Sequence, residues 1–486
     1  MFTLSDIMQA NEGKFRIQSS LPLEPKLLFQ AAHHDSRQIE AGDLFVALKG
    51  ARVDGHSFLS AVARAGALGA LCTEPSSDVP EQFVQIIVPS VVEALQATAR
   101  VRAQRQKNTI FIGITGSNGK TSTKDAVAVV LSRRAATLKT QASYNNEIGY
   151  PLTLLRLEAQ HRYAVLEMGA QWVGELAGLC RTIMCPNWAI ITNVGAAHLE
   201  FFGSPERVLL AKTELVQALT SEGIAILNYD DVNVRAMSAK TSARVLYYGC
   251  GKGAEVRAQD IGGDILFGHS FTLTYHGQRQ HIQLRLPSEH GVTIALAAAA
   301  AGCAAELPLD EIGVALEQLR PTKGRGEIKS GPRGSILIDD SYNANRQSIL
   351  AIAKAMHEAR NVVGEAKGMI NQAPTGRRWA VLGDIFELGV YAQAEHYATG
   401  EALAEKVDYL LAIGEQARYY VEGAIAAGMA QQHIYYFSAD PENKTQLEEA
   451  KHAAADLLMQ EVRSSDLILL KGSRGMRMET MLDMLT

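Results

Sequence analysis

An apolar run, Ile110-Phe111-Ile112-Gly113-Ile114, leads straight into Thr115-Gly116-Ser117-Asn118-Gly119-Lys120-Thr121, and a helix-like stretch follows from Ser122 to Arg134. Strand, glycine-rich turn and helix in that order are the context that a phosphate cradle requires. The turn has the matching composition. Its glycines let backbone N–H groups approach a polyphosphate, the helix start adds a favourable dipole, Lys120 supplies a mobile positive charge, and the Thr121 hydroxyl suits a magnesium ion. The spacing departs from the strict Walker pattern, because Ile114 stands at its first glycine with Gly113 and Gly116 on either side. A plain turn would account for the glycines but not for a Lys-Thr pair at the helix start.

The rest of the chain extends this pattern. Apolar runs at Phe111–Thr115, Ala164–Glu167, Ala189–Asn193 and Ile224–Asn228 alternate with helical patterns and end in polar residues. That alternation predicts a mostly parallel sheet whose ligands gather beyond the carboxyl ends of its strands, so Glu167, Asn193 and Asn228 are expected to face one crevice. After Pro321 a second set appears, at 336–338, 379–382, 409–413 and 467–470, and predicts a second, Rossmann-like sheet. Residues 1 to about 84 hold shorter pieces, Asp43–Leu48 and a helical pattern from Phe58 to Ala67, and read as a small α/β module. The expectation is an α/β protein of three domains, 1–84, 85–320 and 321–486, in keeping with a length of 486 residues. The polar segment 365–378 reads as a long surface loop.

Composition removes several classes of function. A formal net charge of −5 and no lysine-arginine cluster interleaved with aromatics argue against a nucleic-acid partner. Met1 to Gly13 lacks the basic start and apolar core of a secretory signal, and the Ala-rich run Ile294–Ala305 is too short to span a bilayer, so the expected setting is the cytoplasm without a membrane. Cys72, Cys180, Cys185, Cys250 and Cys303 form no CxxC pair and read as packing thiols of a reducing compartment.

Among polar residues, Glu167 ends a strand and stands opposite the phosphate-loop threonine in the way nucleotide enzymes hold magnesium; capping the next turn is its alternative. His198 follows a small-residue turn after another strand and belongs at the same edge. Lys212, in Ala211-Lys212-Thr213-Glu214, reads by spacing as a solvated helix lysine beside a carboxylate. Asp339-Asp340 and Ser341-Tyr342-Asn343-Ala344-Asn345 suit recognition of ribose, base or metal-bound water, and equally suit a turn. Arg325 could meet phosphate on domain closure or sit in an exposed linker, and Lys471-Gly472-Ser473-Arg474 could clamp an anion or form a basic turn.

Taken together these segments resemble the Mur ligase family. The carriers are Asp35-Ser36-Arg37 with Gly42–Phe45, the loop 115–121, Asn145-Asn146-Glu147-Ile148-Gly149, Glu167-Met168-Gly169-Ala170, Thr192–Gly195 through His198, Ala211-Lys212, Asp339–Asn345, Gly383–Gly389 and Lys471–Arg474. The resemblance spans nearly the whole chain. It implies an ATP-dependent amide ligase of peptidoglycan precursor synthesis, and Gly383–Gly389 with Asp339–Asn345 point to the member that joins UDP-N-acetylmuramoyl-tripeptide to D-alanyl-D-alanine through an acyl phosphate. It further implies that Lys120 and the backbone from Gly116 to Thr121 hold the phosphates. Thr121 and Glu167 would serve one magnesium ion, and His198 and Lys212 a second. Lys212 would be N-carboxylated, which reverses its bland reading. Asn145 would lie near the transferred phosphate, Arg325 and Asp340 would complete the nucleotide pocket, and Ser36 and Arg37 would meet the UDP end. A monomer is the family expectation. Gly291, Ile294 and Arg346 depart from the family pattern, so no base contact is assigned to the first two. The alternatives are another ligase of this fold with a different acceptor, or a nucleotide-binding regulator without turnover.

Overall fold

The structure, a computed structural model, describes residues 1–486 except 23, 51–52, 196–198, 267, 360–375 and 486. Three larger sheets follow one another along the chain. The first has five strands in the order Arg16–Gln18, Val84–Ile87, Gly69–Cys72, Leu44–Val46 and Ala32–His33, parallel apart from the first pair. Its last strand in sequence leads into the helix Val91–Arg105, whose N-cap Ser90 accepts from Glu93 N–H.

Nine strands form the central sheet, ordered Gln278–Leu284, Gly268–Tyr275, Val256–Asp264, Arg244–Gly249, Ile224–Asn228, Trp188–Ile191, Ile110–Thr115, Tyr163–Glu167 and Thr137–Lys139. It is parallel as expected from Thr137–Lys139 across to Val256–Asp264. The strands Gly268–Tyr275 and Gln278–Leu284 then add an antiparallel ribbon that the alternation of runs did not signal. Register does the positioning. Glu167 pairs with Ile114, and Ile191 with Thr115, so three strands end level and their following loops share one edge. On one face the helices Lys120–Ser132 and Ser288–Ala304 pack together; a Cβ on Gly302 would lie 2.8 Å from Val130 Cγ1, so glycine sets their close approach. The Ala-rich run is thus core, with Ala295 to Ala301 fully buried. Among the described residues no helix is long and apolar enough to cross a membrane.

The third sheet has six strands, ordered Glu327–Ser330, Ile336–Asp340, Leu467–Lys471, Arg378–Gly383, Tyr409–Ile413 and Ile434–Phe437, with only the first antiparallel to its neighbour. Of the loop expected over 365–378, residues 365–375 lie outside the described residues, and Arg378 already opens a buried strand. The turn after Val256–Asp264 carries Ile265 out of the central unit into an apolar cluster of the third, with Ile338, Ile349 and Ile352. Cys72 and Cys303 are buried as packing residues, whereas Cys250 is exposed.

Candidate active site

The phosphate loop is held from beneath by the next strand end. Ser117 N–H donates to Asn193 O at 2.9 Å, Asn118 N–H to Asn193 Oδ1 at 2.9 Å, and Thr192 Oγ1 to Asn118 O at 2.7 Å. Gly116 has φ +148, and a Cβ there would overlap Thr192 Oγ1, so the loop can lie this close only with glycine. Gly119, at φ +77, turns the chain into the helix that begins at Lys120. Lys120 folds back over the loop, donating from Nζ to Gly116 O at 2.7 Å and Ser117 O at 3.2 Å. Burial lowers its pKa, and the Glu167 carboxylate opposes that shift.

Glu167 is 1% exposed at the end of its strand. Its Oε1 accepts from Asn145 Nδ2 at 2.8 Å, while Oε2 is buried without a hydrogen-bond partner. A buried carboxylate oxygen left open beside a cationic loop suits a cation far better than a turn cap. Lys212 is equally buried, on the inner face of the helix Pro205–Gln217 among Val208, Ala211 and Leu215. Its Nζ reaches Ala170 O at 3.3 Å and lies 5.5 Å from the centre of the Phe202 ring. Desolvation, with Lys120 adding to it, pushes its pKa down to about 7. The Glu214 carboxylate opposes that shift from a distance, while it accepts from Gly174 and Ala177 N–H and caps the helix Glu175–Thr182.

The C-terminal unit completes the site. Arg325 donates from Nη2 to Thr121 Oγ1 at 3.1 Å and stacks 4.2 Å over the Tyr342 ring, with Arg474 on the same ring at 5.3 Å. Tyr342 OH lies 2.9 Å from Ser143 Oγ, which is 3.3 Å from Thr121 Oγ1. Asn345 bonds Asn118 across the cleft, and Asp340 is paired with Lys471, which also donates to Asn343 O at 2.8 Å. These groups line one cavity of about 1030 Å³ between the central and C-terminal units. The geometry can grip a polyphosphate from both sides and hold a cation against one carboxylate.

The chain matches the Mur ligase middle domain over residues 114–302, the glutamate ligase domain of Mur ligases over 324–474, and the catalytic domain of the Mur ligase family over 30–107. The chain belongs to the Mur ligase family. It is 32% identical to the UDP-N-acetylmuramoyl-tripeptide--D-alanyl-D-alanine ligase of Bacillus subtilis, covering 92% of this chain and 90% of that one. The enzyme of the same name from Escherichia coli is 35% identical, with 80% and 82% covered. Among solved structures it resembles MurF from Acinetobacter baumannii, with TM-score 0.81, 30% identity and 99% and 98% coverage. MurF ligase from Thermotoga maritima in complex with ADP gives TM-score 0.76, 25% identity, and 95% and 98% coverage.

In this Mur ligase the cavity gathers most of the residues singled out in the sequence: Ser117, Asn118, Gly119, Lys120, Thr121, Asn145, Glu167, Arg325 and Asp340. Thr115 is fully buried beneath the loop, and Asn193 and Asn228 brace it from below instead of facing the cavity; Asn228 Nδ2 donates to Thr192 O at 2.8 Å. Ser36 and Arg37 are on the first unit, away from this cavity's lining, where Arg37 forms an exposed fork with Asp35. His198 lies outside the described residues. Ser143 was missed altogether. Its serine between Ala142 and Tyr144 carries no pattern, and only the neighbouring Asn145-Asn146 pair marks the loop. For Lys212 a signal existed, because 208, 211, 212 and 215 fall on one helix face whose other members are apolar.

Proposed function

We propose that the chain is the ATP-dependent ligase that joins UDP-N-acetylmuramoyl-tripeptide to D-alanyl-D-alanine in peptidoglycan precursor synthesis, the reaction in its relatives' names. One observation carries this reading: the phosphate loop, a buried carboxylate with one open oxygen, and Arg325 from the C-terminal unit converge on a single cavity. In the reaction the tripeptide carboxylate attacks the γ-phosphate of ATP, giving an acyl phosphate and ADP. The dipeptide amine then adds to that carbonyl and phosphate leaves. Both steps crowd anions together, so fixed cations and N–H donors aimed at the phosphoryl oxygens are the main need.

Lys120 meets it by exchanging the carbonyls of Gly116 and Ser117 for phosphate oxygens, and Arg325 by approaching from the opposite wall. Asn145 orients Glu167 through its amide. Asp340, paired with Lys471, would help complete the nucleotide pocket. Residues 1–84 bring the UDP end, with Ser36 and Arg37, to the ATP-binding unit 85–320, and 321–486 close over it. Among the described residues no three histidine, cysteine or acidic side chains gather as a metal cage. Glu167 with Thr121 would therefore hold a magnesium ion whose remaining ligands come from phosphate and water, the usual arrangement for that ion. When bound, it would neutralise charge between the nucleotide and the attacking carboxylate. With its pKa near 7, Lys212 presents the free amine that carbon dioxide needs to form a carbamate, and that carbamate with His198 would hold a second magnesium ion. The chain acts as a monomer in this reading, in the cytoplasm where its nucleotide substrates are made.

The test is phosphate release from ATP with UDP-N-acetylmuramoyl-tripeptide and D-alanyl-D-alanine, each omitted in turn, with mass detection of the pentapeptide product and Lys120→Ala as control. Release that needs both substrates and vanishes in the control is expected. Release with neither peptide, or none despite ATP binding, overturns the reading.

A further inference from the structure

A second chamber, of about 510 Å³, opens beside the nucleotide cavity and shares Thr121, Asp125, Lys139 and Thr322 with its wall. Three basic side chains line it, Lys124, Lys139 and Arg156, against the single carboxylate of Asp125. Asp125 is already spent on the two lysines, at 3.4 Å from Lys124 Nζ and 2.7 Å from Lys139 Nζ. Lys124 is 2% exposed and donates to Ala142 O at 2.9 Å.

Arg156 has no such compensation. Among the described residues burial is the cause of its pKa shift, which is downwards, and its Nη1 is buried without an acceptor. A half-buried guanidinium with an orphaned donor is costly unless something anionic completes it. His161, also in the wall, accepts Glu158 N–H at Nδ1 over 3.0 Å, which leaves Nε2 as the ring's donor. The wall therefore offers donors and net positive charge, with Thr121 at the doorway where the γ-phosphate would stand.

We propose that this chamber is a phosphate-binding site that takes up the inorganic phosphate produced beside Thr121, held by Arg156, Lys139 and His161. The proposal rests on the ligase reading for the source of the phosphate, not for the chamber's chemistry. Phosphate parked there vacates the reaction centre while ADP still fills the nucleotide cavity, and high external phosphate would slow turnover by keeping the chamber full.

The experiment is equilibrium dialysis of radiolabelled inorganic phosphate against the full chain saturated with ADP, comparing the parent with Arg156→Gln and Arg156→Lys. One phosphate per chain is expected, weakened about tenfold or more in Arg156→Gln, where a charge-assisted hydrogen bond is lost, and less in Arg156→Lys. Inhibition of turnover by added phosphate should weaken in parallel. Equal phosphate binding by parent and Arg156→Gln, or no binding by a parent that turns over normally, overturns the proposal. Absence of any ATP turnover with phosphate binding intact would count against the ligase reading alone. Melting temperatures of both variants separate a lost site from a misfolded chain.

Discussion

Replacing Lys212 by methionine should make the ligand-free protein more stable and the enzyme inactive. Moving an ammonium pKa from 10.5 to about 7 costs the folded state about 4 to 5 kcal/mol at and below pH 7, and that cost drains away as pH rises toward 10.5. Methionine fills a similar volume among Val208, Ala211 and Leu215 and forgoes the bond to Ala170 O, worth about 1 kcal/mol, and the ammonium's place over the Phe202 ring. The expected net gain is about 3 kcal/mol at pH 7, or roughly 6 to 12 °C in the melting transition of a unit this size. The pH dependence has a definite sign. Between pH 7 and 10.5 the unfolded chain still holds the proton that folded Lys212 has released, so the parent gains stability as pH rises and the gap to the variant closes. Calorimetry of both proteins in carbon-dioxide-free buffer at pH 7 and pH 10 measures this directly, alongside phosphate release, which should fall at least about 100-fold. A variant that melts lower than the parent at pH 7, or a gap that does not shrink by pH 10, would refute the account of Lys212 as a strained amine retained for chemistry.

Gly116→Ala should abolish ATP binding, because its Cβ displaces Thr192 and with it the bonds under the loop; titration with a fluorescent ATP analogue showing parent-like affinity would contradict this. Tyr342→Phe keeps the ring between Arg325 and Arg474 but loses the bond to Ser143, so KM for ATP should rise severalfold with little change in melting, and an unchanged KM would remove Tyr342 from the closure contact. Ala142 has a left-handed backbone, φ +44; Ala142→Gly should stabilise by up to about 1 kcal/mol in denaturant unfolding, after the entropy of the more flexible unfolded chain is deducted, and a clear loss would show that the turn is unstrained.

The sequence made the strand runs, the phosphate loop and Glu167 legible because each depends on local pattern, an apolar run closed by a polar residue. The antiparallel ribbon Val256–Leu284 escaped for the converse reason. Its outer strands are not apolar runs closed by a polar residue: Phe271-Thr272-Leu273-Thr274-Tyr275 and Ile282-Gln283-Leu284 alternate, with Phe271, Leu273, Ile282 and Leu284 buried, a period-two signal that a search for apolar runs passes over. Asn193 and Asn228 were rightly placed at strand ends, but register along a strand does not tell which side chains point up to a ligand and which point across to brace a loop. The bond between Ser143 and Tyr342, 199 residues apart, arises only when two units meet, and nothing local to either residue encodes it.

Ile265 gives the cycle a timekeeper. The residue is tethered to the ATP-binding unit yet lodged in the core of its neighbour, so the cleft cannot gape until that isoleucine is drawn into water. Exposing one such side chain costs about 1.5 to 3 kcal/mol, equivalent to roughly a 10- to 150-fold longer dwell of whatever is trapped inside. A reactive acyl phosphate benefits from that delay, since it is kept from bulk water until the amine arrives. The finished product meets the same barrier on its way out.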